Sequence, residues 1–250
     1  MCLIGIALGV SEQFPFILCA NRDEFYHRQT KEAHFWDENP LLLAGKDLEK
    51  GGTWLGLSAS GELAALTNVR SGETSKSVST SRGDIIAAYF NDRNRFKRIL
   101  KEKDTYDGFN LLYGNIRELT YTTNQPYEDK KFKKGIHVLS NATLNSPWPK
   151  AQKLEADLQK LQAKNEEEMT HYLFDTLFQR ERFTDQELPN TGIGIDLERK
   201  LSPIHIQTDE YGTKSSTVIL INRQGTVTFV EKTFGSERKQ VTYHFPVKRS

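Results

Sequence analysis

The chain has 250 residues, 37% of them hydrophobic and 27% charged, and its 34 basic and 33 acidic side chains give a formal net charge of +1. This much apolar surface excludes wholesale disorder, and the near-zero charge disfavours nucleic acid and anionic membranes as partners. A chain of this length can fold around one core, so we predict a single domain, residues 1–250, that binds a small molecule or a protein.

Targeting signals are missing from the sequence. No apolar run approaches the roughly 20 residues that cross a bilayer, and the first residues do not form a secretory leader. We therefore expect a cytoplasmic protein without a transmembrane segment. Cys2 and Cys19 do not form a secreted disulfide pattern, so both are expected to be thiols.

The first 24 residues predict a β-hairpin. Its strands are expected at 2–10 and 14–20, and the polar cluster Asn21-Arg22-Asp23-Glu24 follows the second strand. Because the strands of a hairpin are antiparallel, Cys2 and this cluster should lie at the same end of the sheet.

The rest of the chain predicts strands around a central helical region. Residues 51–58 and 61–68 form a second expected hairpin that turns at Ser60-Gly61 and ends at Asn68. Further helices are expected at 82–103, 149–164 and 166–178, and further strands at 108–113, 119–123, 136–139, 216–221, 226–231 and 241–245. Residues 180–212 are expected to form a long loop that could cover a site. This order fits an α+β layered domain.

Cys2 is the strongest candidate for chemistry. If Met1 is removed, Cys2 carries both a thiol and a free α-amine, so the nucleophile has its own base. The reference pKa values are about 7.7–8.0 for the amine and about 8.5 for the thiol, so proton transfer costs roughly 1 kcal/mol. The alternative is a small buried residue at the start of a strand, and the same interpretation is favoured for Cys19, which apolar residues surround.

Polar side chains at predicted strand ends supply candidate partners for Cys2. Arg22 could stabilise a thiolate or a carboxylate, Asp23 could accept from the α-ammonium, and Asn21 could brace the turn. Asn68 and Asn141 each follow an apolar run, and an amide NH₂ there could stabilise an oxyanion. Each of these residues, taken alone, is also typical of a solvated turn or a strand end.

The sequence does not indicate a metal site or a nucleotide cofactor. The six histidines show none of the spacings of zinc ligands. Trp54 follows Gly51-Gly52-Thr53, but this segment lacks the Lys-Ser/Thr ending of a phosphate-binding loop.

Eight ordered sequence blocks resemble the NRDE family, the family of transport and Golgi organisation protein 2 homologues. The blocks are Met1-Cys2, 20–25, 51–56, 63–68, 108–111, 139–142, 146–148 and 211–213 with 216–218. The family in turn looks like the N-terminal-nucleophile hydrolases. That resemblance implies a four-layer αββα sandwich of two antiparallel sheets and cleavage of a non-peptide amide bond.

The resemblance to the cysteine branch of these hydrolases also implies roles for single residues. Cys2, Arg22, Asp23, Asn68 and Asn141 are implied to be catalytic, while the choice between Asp23 and Glu24 as the acid stays open. We assign Asn21, Glu24, Trp54 and Lys214 to ligand binding. Lys214 stands where related sequences usually carry arginine, which weakens a planar two-pronged contact with a carboxylate.

The resemblance leaves two alternatives to an enzyme. Family members are linked to the handling of haem or acyl lipids, so a non-catalytic carrier could use the same cleft. A purely structural interaction domain would also explain the folding pattern, but it leaves the grouping of Cys2, Arg22 and the two asparagines unexplained.

Overall fold

The computed structural model describes residues 2–72, 81–162, 165–235 and 238–248. Met1, whose removal the sequence analysis invokes, and the last two residues of the helix predicted at 149–164 lie outside these ranges. The strands are β1 (Cys2–Leu8), β2 (Phe16–Phe25), β3 (Thr30–Trp36), β4 (Asn39–Asp47), β5 (Leu55–Ser58), β6 (Glu62–Asn68), β7 (Phe109–Asn115), β8 (Glu118–Asn124), β9 (Tyr127–Lys131), β10 (Gly135–Leu139), β11 (Tyr211–Ile221), β12 (Thr226–Thr233) and β13 (Lys239–Pro246). The helices are α1 (Gly83–Asn91), α2 (Arg93–Lys101), α3 (Pro149–Leu158), α4 (Glu166–Leu177) and α5 (Ile195–Lys200).

The strands form two antiparallel sheets. One sheet has six strands in the order β10-β1-β2-β11-β12-β13, and the other has seven in the order β3-β4-β5-β6-β7-β8-β9. Both predicted hairpins are present, as β1–β2 and β5–β6. The predicted α+β class with two antiparallel sheets is therefore confirmed.

The chain divides into two compact units. The first unit contains residues 1–27 and 133–246 and therefore the six-stranded sheet. The second unit contains residues 28–132 and the C-terminal residues from Val247, and therefore the seven-stranded sheet. The single domain expected from the sequence stays a prediction.

In the first unit, α3 and α4 cover one face of the six-stranded sheet. Apolar side chains on alternate positions of β1, β2 and β11 pack against leucines of the two helices; this core includes Leu3, Ile17, Cys19, Val218, Leu220, Leu154, Leu158, Leu173 and Leu177. Burial of each such leucine or isoleucine contributes roughly 1.5–3 kcal/mol. The alternation follows the two-residue period of a strand, so residues at the even positions of β1 and β2 point to the opposite face.

In the second unit, α1 and α2 pack on the seven-stranded sheet. Their apolar face is buried against β6 and β7 in a core that includes Ile85, Ile86, Tyr89, Phe96, Ile99, Leu66, Phe109 and Leu111. The single helix predicted at 82–103 is wrong, because Asp92 has an extended backbone and its carboxylate accepts from the backbone N–H groups of Asn94 and Arg95. Asp92 therefore ends α1 and caps α2.

The segment 180–212 contains more regular structure than the predicted loop. It includes α5 and a short 3₁₀ helix at Asp185–Glu187. Leu201, Ile204 and Ile206 are buried, and the buried carboxylate of Glu198 accepts from the hydroxyl of Thr191 at 2.6 Å. None of the helices in the described ranges is long and apolar enough to cross a membrane.

Candidate functional site

Cys2 lies in a row of polar side chains that crosses the six-stranded sheet. It is the first residue of β1 and pairs with Arg22 of β2, which in turn pairs with Ser215 of β11. Paired residues of antiparallel strands share a face of the sheet, with Cα atoms about 4.5–5.5 Å apart. Cys2, Arg22 and Ser215 are all buried, so the thiol and the guanidinium lie side by side out of solvent.

Asn141 follows the strand on the other side of β1. The last pair between β1 and β10 joins Ile4 to Leu139, so the same register, continued for two residues, places Asn141 level with Cys2. Asn141 is fully buried, and its Oδ1 accepts from the Ser140 hydroxyl at 3.5 Å. Cys2, Arg22 and Ser215 therefore form a row across three adjacent strands, and Asn141 lies just beyond the end of the fourth.

The polar cluster at 21–24 belongs to β2 rather than to a turn. The prediction that this strand ends at Ala20 is wrong, because β2 pairs with β11 as far as Phe25. Side chains within the cluster therefore alternate between the two faces of the sheet. This alternation separates Asn21 from Arg22, although the two are neighbours in sequence.

Asn21 holds the segments that pack on the helical face. Its amide NH₂ donates to the carbonyl oxygens of Leu177 at 2.8 Å and Ile204 at 2.9 Å, and its Oδ1 accepts from the Ser216 hydroxyl at 2.6 Å. Asn21 therefore ties the end of α4 and the segment before β11 to the sheet. It was predicted to brace a turn and to bind ligand.

Asp23 and Glu24 have different surroundings. Asp23 is 1% exposed, and its Oδ1 accepts from the Thr213 hydroxyl at 2.7 Å. Glu24 is only half-buried, and its Oε1 accepts from the backbone N–H of Phe25 at 3.0 Å. The negative charge of Asp23 raises the pKa of the Cys2 thiol more than that of Glu24 does.

Burial is the main influence on Cys2. It raises the pKa of the thiol above the ordinary value, and Asp23 adds to this rise while the positive charge of Arg22 opposes it. Burial therefore favours the neutral thiol of Cys2, and the easy proton transfer expected for a Cys2 with a free α-amine stays a prediction. Burial also raises the pKa of Cys19 to about 12, in line with its predicted place in the core, and both cysteines are free.

Three other predicted site residues, Lys214, Asn68 and Trp54, are distributed over the two units. Lys214 stands at a bulge of β11, between the pairs of Thr213 and Ser215, and its ammonium donates to the carbonyl oxygen of Tyr26 at 3.0 Å. Asn68 and Trp54 belong to the second unit, where Asn68 ends β6 as predicted. The Trp54 ring packs on Gly45 so closely that a Cβ there would lie 2.3 Å from the ring.

Ser215 is a buried polar residue of the row that the sequence analysis missed. Its hydroxyl oxygen has no hydrogen-bond partner among the described residues. Only the pairing of β2 with β11, about 190 residues apart, reveals its place beside Arg22. The described residues contain no group of three or more His, Cys, Asp or Glu side chains that could hold a metal ion.

The fold is that of the N-terminal-nucleophile hydrolases. The chain is similar to the solved structure of a variant of conjugated bile acid hydrolase from Clostridium perfringens, with a TM-score of 0.51 over 99% of this chain and 98% of that one, at 10% sequence identity. A second variant of the same enzyme gives a TM-score of 0.50 at 9% identity. The predicted fold is therefore confirmed.

The family follows from the sequence comparisons. The family model described as Transport and Golgi organisation 2 matches residues 1–236. The chain is 32% identical to the transport and Golgi organization protein 2 homologs of Bos taurus, over 92% of each chain, and of Homo sapiens, over 88% of this chain and 86% of the other. It therefore belongs to the Transport and Golgi organisation 2 family, which is the NRDE family of the sequence analysis.

Proposed function

We propose that the protein is a hydrolase that cleaves the amide bond of a small, non-peptide substrate with Cys2 as its N-terminal nucleophile. The observation that carries this proposal is the pairing of Cys2 with the buried Arg22 in adjacent strands. The buried Asn141 lies two residues beyond β10, the strand on the other side of β1. The hydrolase fold of the chain and the near-zero net charge, which suits a small substrate better than a polyanion, support it.

The reaction begins when Met1 is removed and the α-amine of Cys2 becomes free. The amine takes the thiol proton, Sγ bonds to the carbonyl carbon, and the C–N bond breaks as the amine leaving group takes up that proton. Water then hydrolyses the thioester, which releases a carboxylic acid and restores the thiol. Because burial raises the thiol pKa, the transfer to the α-amine has to accompany the attack.

Two neighbours of Cys2 have defined roles in this proposal. The amide NH₂ of Asn141, which follows the strand beside Cys2, donates to the developing oxyanion. The register that pairs Cys2 with Arg22 directs the backbone nitrogen of Cys2 towards the level of Asp23. Asp23 is the acid proposed to hold the α-ammonium, because it is more deeply buried than Glu24 and its charge acts more strongly on Cys2.

Covalent capture of Cys2 tests the proposal. The purified chain without an N-terminal tag is treated with iodoacetamide across pH 6–9, and the intact mass and peptide masses are measured. We expect loss of Met1 and one label per chain at Cys2. Cys19 is expected to stay unlabelled because it is fully buried and its pKa is about 12.

Two variants make the capture experiment specific. Cys2→Ala removes the label, whereas Asp23→Asn keeps Cys2 but is expected to slow labelling about tenfold because the α-ammonium loses its acceptor. A protein that retains Met1, or a Cys2 that reacts no faster than Cys19, would rule the mechanism out. That result would favour a non-catalytic carrier.

A further inference from the structure

A groove lies on one face of the six-stranded sheet, and Cys2 lies on the other face. Lys232 of β12 pairs with Ser216, which pairs with Asn21, so this groove is on the face covered by α4, whereas Cys2 points away from it. The groove has a volume of about 390 Å³, and its lining includes Phe174, Phe178, Lys232, Phe234, Arg238 and Lys239. We call it the aromatic groove. Its volume lies in the range of small-molecule pockets.

Three cations at the aromatic groove, Lys232, Arg180 and Arg238, lie beside rings rather than beside carboxylates of the described residues. The Lys232 ammonium lies 4.1 Å from the centroid of Phe174, and the Arg180 guanidinium lies 4.5 Å from that of Phe178. Lys232, Arg180 and Arg238 form no ion pair with a carboxylate in the part of the chain that the structure describes. Elsewhere, Arg93 and Arg199 are paired with Glu62 and Asp185.

Among the described residues that line the groove, the one acid is Asp175, and it is already engaged. Asp175 lies 3.2 Å from the imidazole of His171, on the same helix. The net charge of the lining is therefore positive, and a negatively charged ligand complements it.

His205 provides a second observation at the aromatic groove. Its imidazole is 4% exposed and lies 4.5 Å from the Phe178 ring and 5.0 Å from the Phe234 ring, centroid to centroid. Its Nδ1 is buried without a hydrogen-bond partner among the described residues. A buried polar atom of this kind costs about 1–3 kcal/mol when it stays unsatisfied, so a ligand that reached it would recover that cost.

We propose that the aromatic groove binds a compact aromatic anion, one or two rings that carry a carboxylate, phosphate or sulfonate. The three phenylalanine rings, two of which the His205 imidazole supports, receive the flat apolar body by edge and face contacts. The unpaired cations receive the anionic group. This site is independent of the proposed amide hydrolysis, because Cys2 lies on the other face of the sheet.

The test uses anilinonaphthalene sulfonate, an aromatic sulfonate with a naphthalene and a phenyl group, whose fluorescence rises in apolar sites. The full chain is titrated at pH 7, and the stoichiometry is measured by calorimetry. We expect one saturable site per chain. Lys232→Met and Arg238→Gln should each weaken binding about tenfold, because each removes a charge-assisted contact.

Matched controls distinguish binding in the groove from non-specific binding of the dye. Lys46 lies 4.5 Å from the Trp36 ring in the second unit, so Lys46→Met removes a similar cation from an aromatic face that is not part of the groove. It should leave the affinity unchanged. Naphthalene-1-sulfonate should compete, and neutral 1-naphthalenemethanol should compete at least about tenfold less well.

The outcomes are distinct from those of the Cys2 experiment. Affinity unchanged in both Lys232→Met and Arg238→Gln, an equal loss in Lys46→Met, or equal competition by the neutral alcohol would overturn the proposal. Arg238 is exposed, so its variant should fold even if the Lys232 variant does not. Iodoacetamide labelling of Cys2 should be the same in these variants as in the wild type, whatever the groove binds.

Discussion

Single residues of the 21–24 cluster have different functions because they belong to one continuous strand. Arg22 shares a face with Cys2, while Asn21, next to it in sequence, bonds to backbone carbonyls on the helical face. The hairpin pattern correctly predicted that Cys2 and this cluster meet. The pattern could not show that the polar run continues the strand, because the run has no alternation of apolar and polar residues. It therefore could not assign the four side chains to the two faces of the sheet.

The partner of Cys2 on its other side could not be derived from local pattern. Asn141 follows β10, a strand that pairs with β1 across about 130 residues of sequence. The local pattern marked Asn141 as an amide after an apolar run, but its place near Cys2 came only from the family resemblance. Ser215 carried no comparable signal, because its place depends on the bulge at Lys214.

His205 gives a prediction about stability at acid pH. Burial, with smaller contributions from Arg180 and Arg238, lowers the pKa of His205 to about 4 from the ordinary 6.5. Between pH 6.5 and 4 the unfolded chain therefore binds more protons than the folded chain, so stability falls as the pH falls through this window. We expect His205 to account for a loss of about 2 kcal/mol in the free energy of unfolding. This is less than the full pKa shift would give, because solvent screens the charges of the exposed arginines.

The measurement is urea unfolding of the wild type and His205→Phe between pH 4 and 7. The phenylalanine keeps the ring between Phe178 and Phe234 but cannot take a proton. The variant should lose less stability than the wild type on going from pH 6.5 to 4. Identical pH dependence in both proteins would show that His205 does not carry this effect.

At the scale of elements, the sequence analysis missed β3, β4 and β9. The strand β4 carries the apolar run Leu41-Leu42-Leu43-Ala44, whereas β9 has no such signal. β3 and β9 form the two edges of the seven-stranded sheet. β9 reads Tyr-Glu-Asp-Lys-Lys and its residues are mostly exposed. Charged edge strands are common because they prevent pairing with other chains, but nothing in such a sequence marks a strand. The buried strands of both predicted hairpins carry strong apolar runs, and these were found.

Asp92 gives a prediction for the helical pair. Its carboxylate satisfies two backbone N–H groups at the start of α2, so Asp92→Ala should reduce the free energy of unfolding by about 1 kcal/mol. Asp92→Asn is the matched control, since asparagine caps helices equally well. Chemical denaturation followed by circular dichroism measures both. Equal losses in the two variants would contradict the assigned cap.

At the scale of the molecule, the chain crosses between its two units three times. β2 leads into the second unit at Arg28, the chain returns at Lys133, and it crosses again at Val247. The last crossing is held by a bond from the backbone N–H of Lys248 to the carbonyl oxygen of Ala59 at 2.8 Å. The first unit is thus built from the segments 1–27 and 133–246, so it cannot be completed until β11 has been made.

This connectivity predicts that the two units unfold together. If the second unit unfolded alone, the folded first unit would still hold together the two ends of a loop of about 105 residues. This constraint reduces the favourable entropy contribution to the free energy of unfolding by roughly 4 kcal/mol. Leu220→Ala, in the core of the first unit, should cost about 2–5 kcal/mol. Hydrogen exchange along a urea series should show peptides of β2 and β6 with one midpoint, and this variant should shift both equally. Leu112→Ala, in β7 of the second unit, is the reciprocal test, and a shift confined to the unit that carries the substitution would show that the units are independent domains.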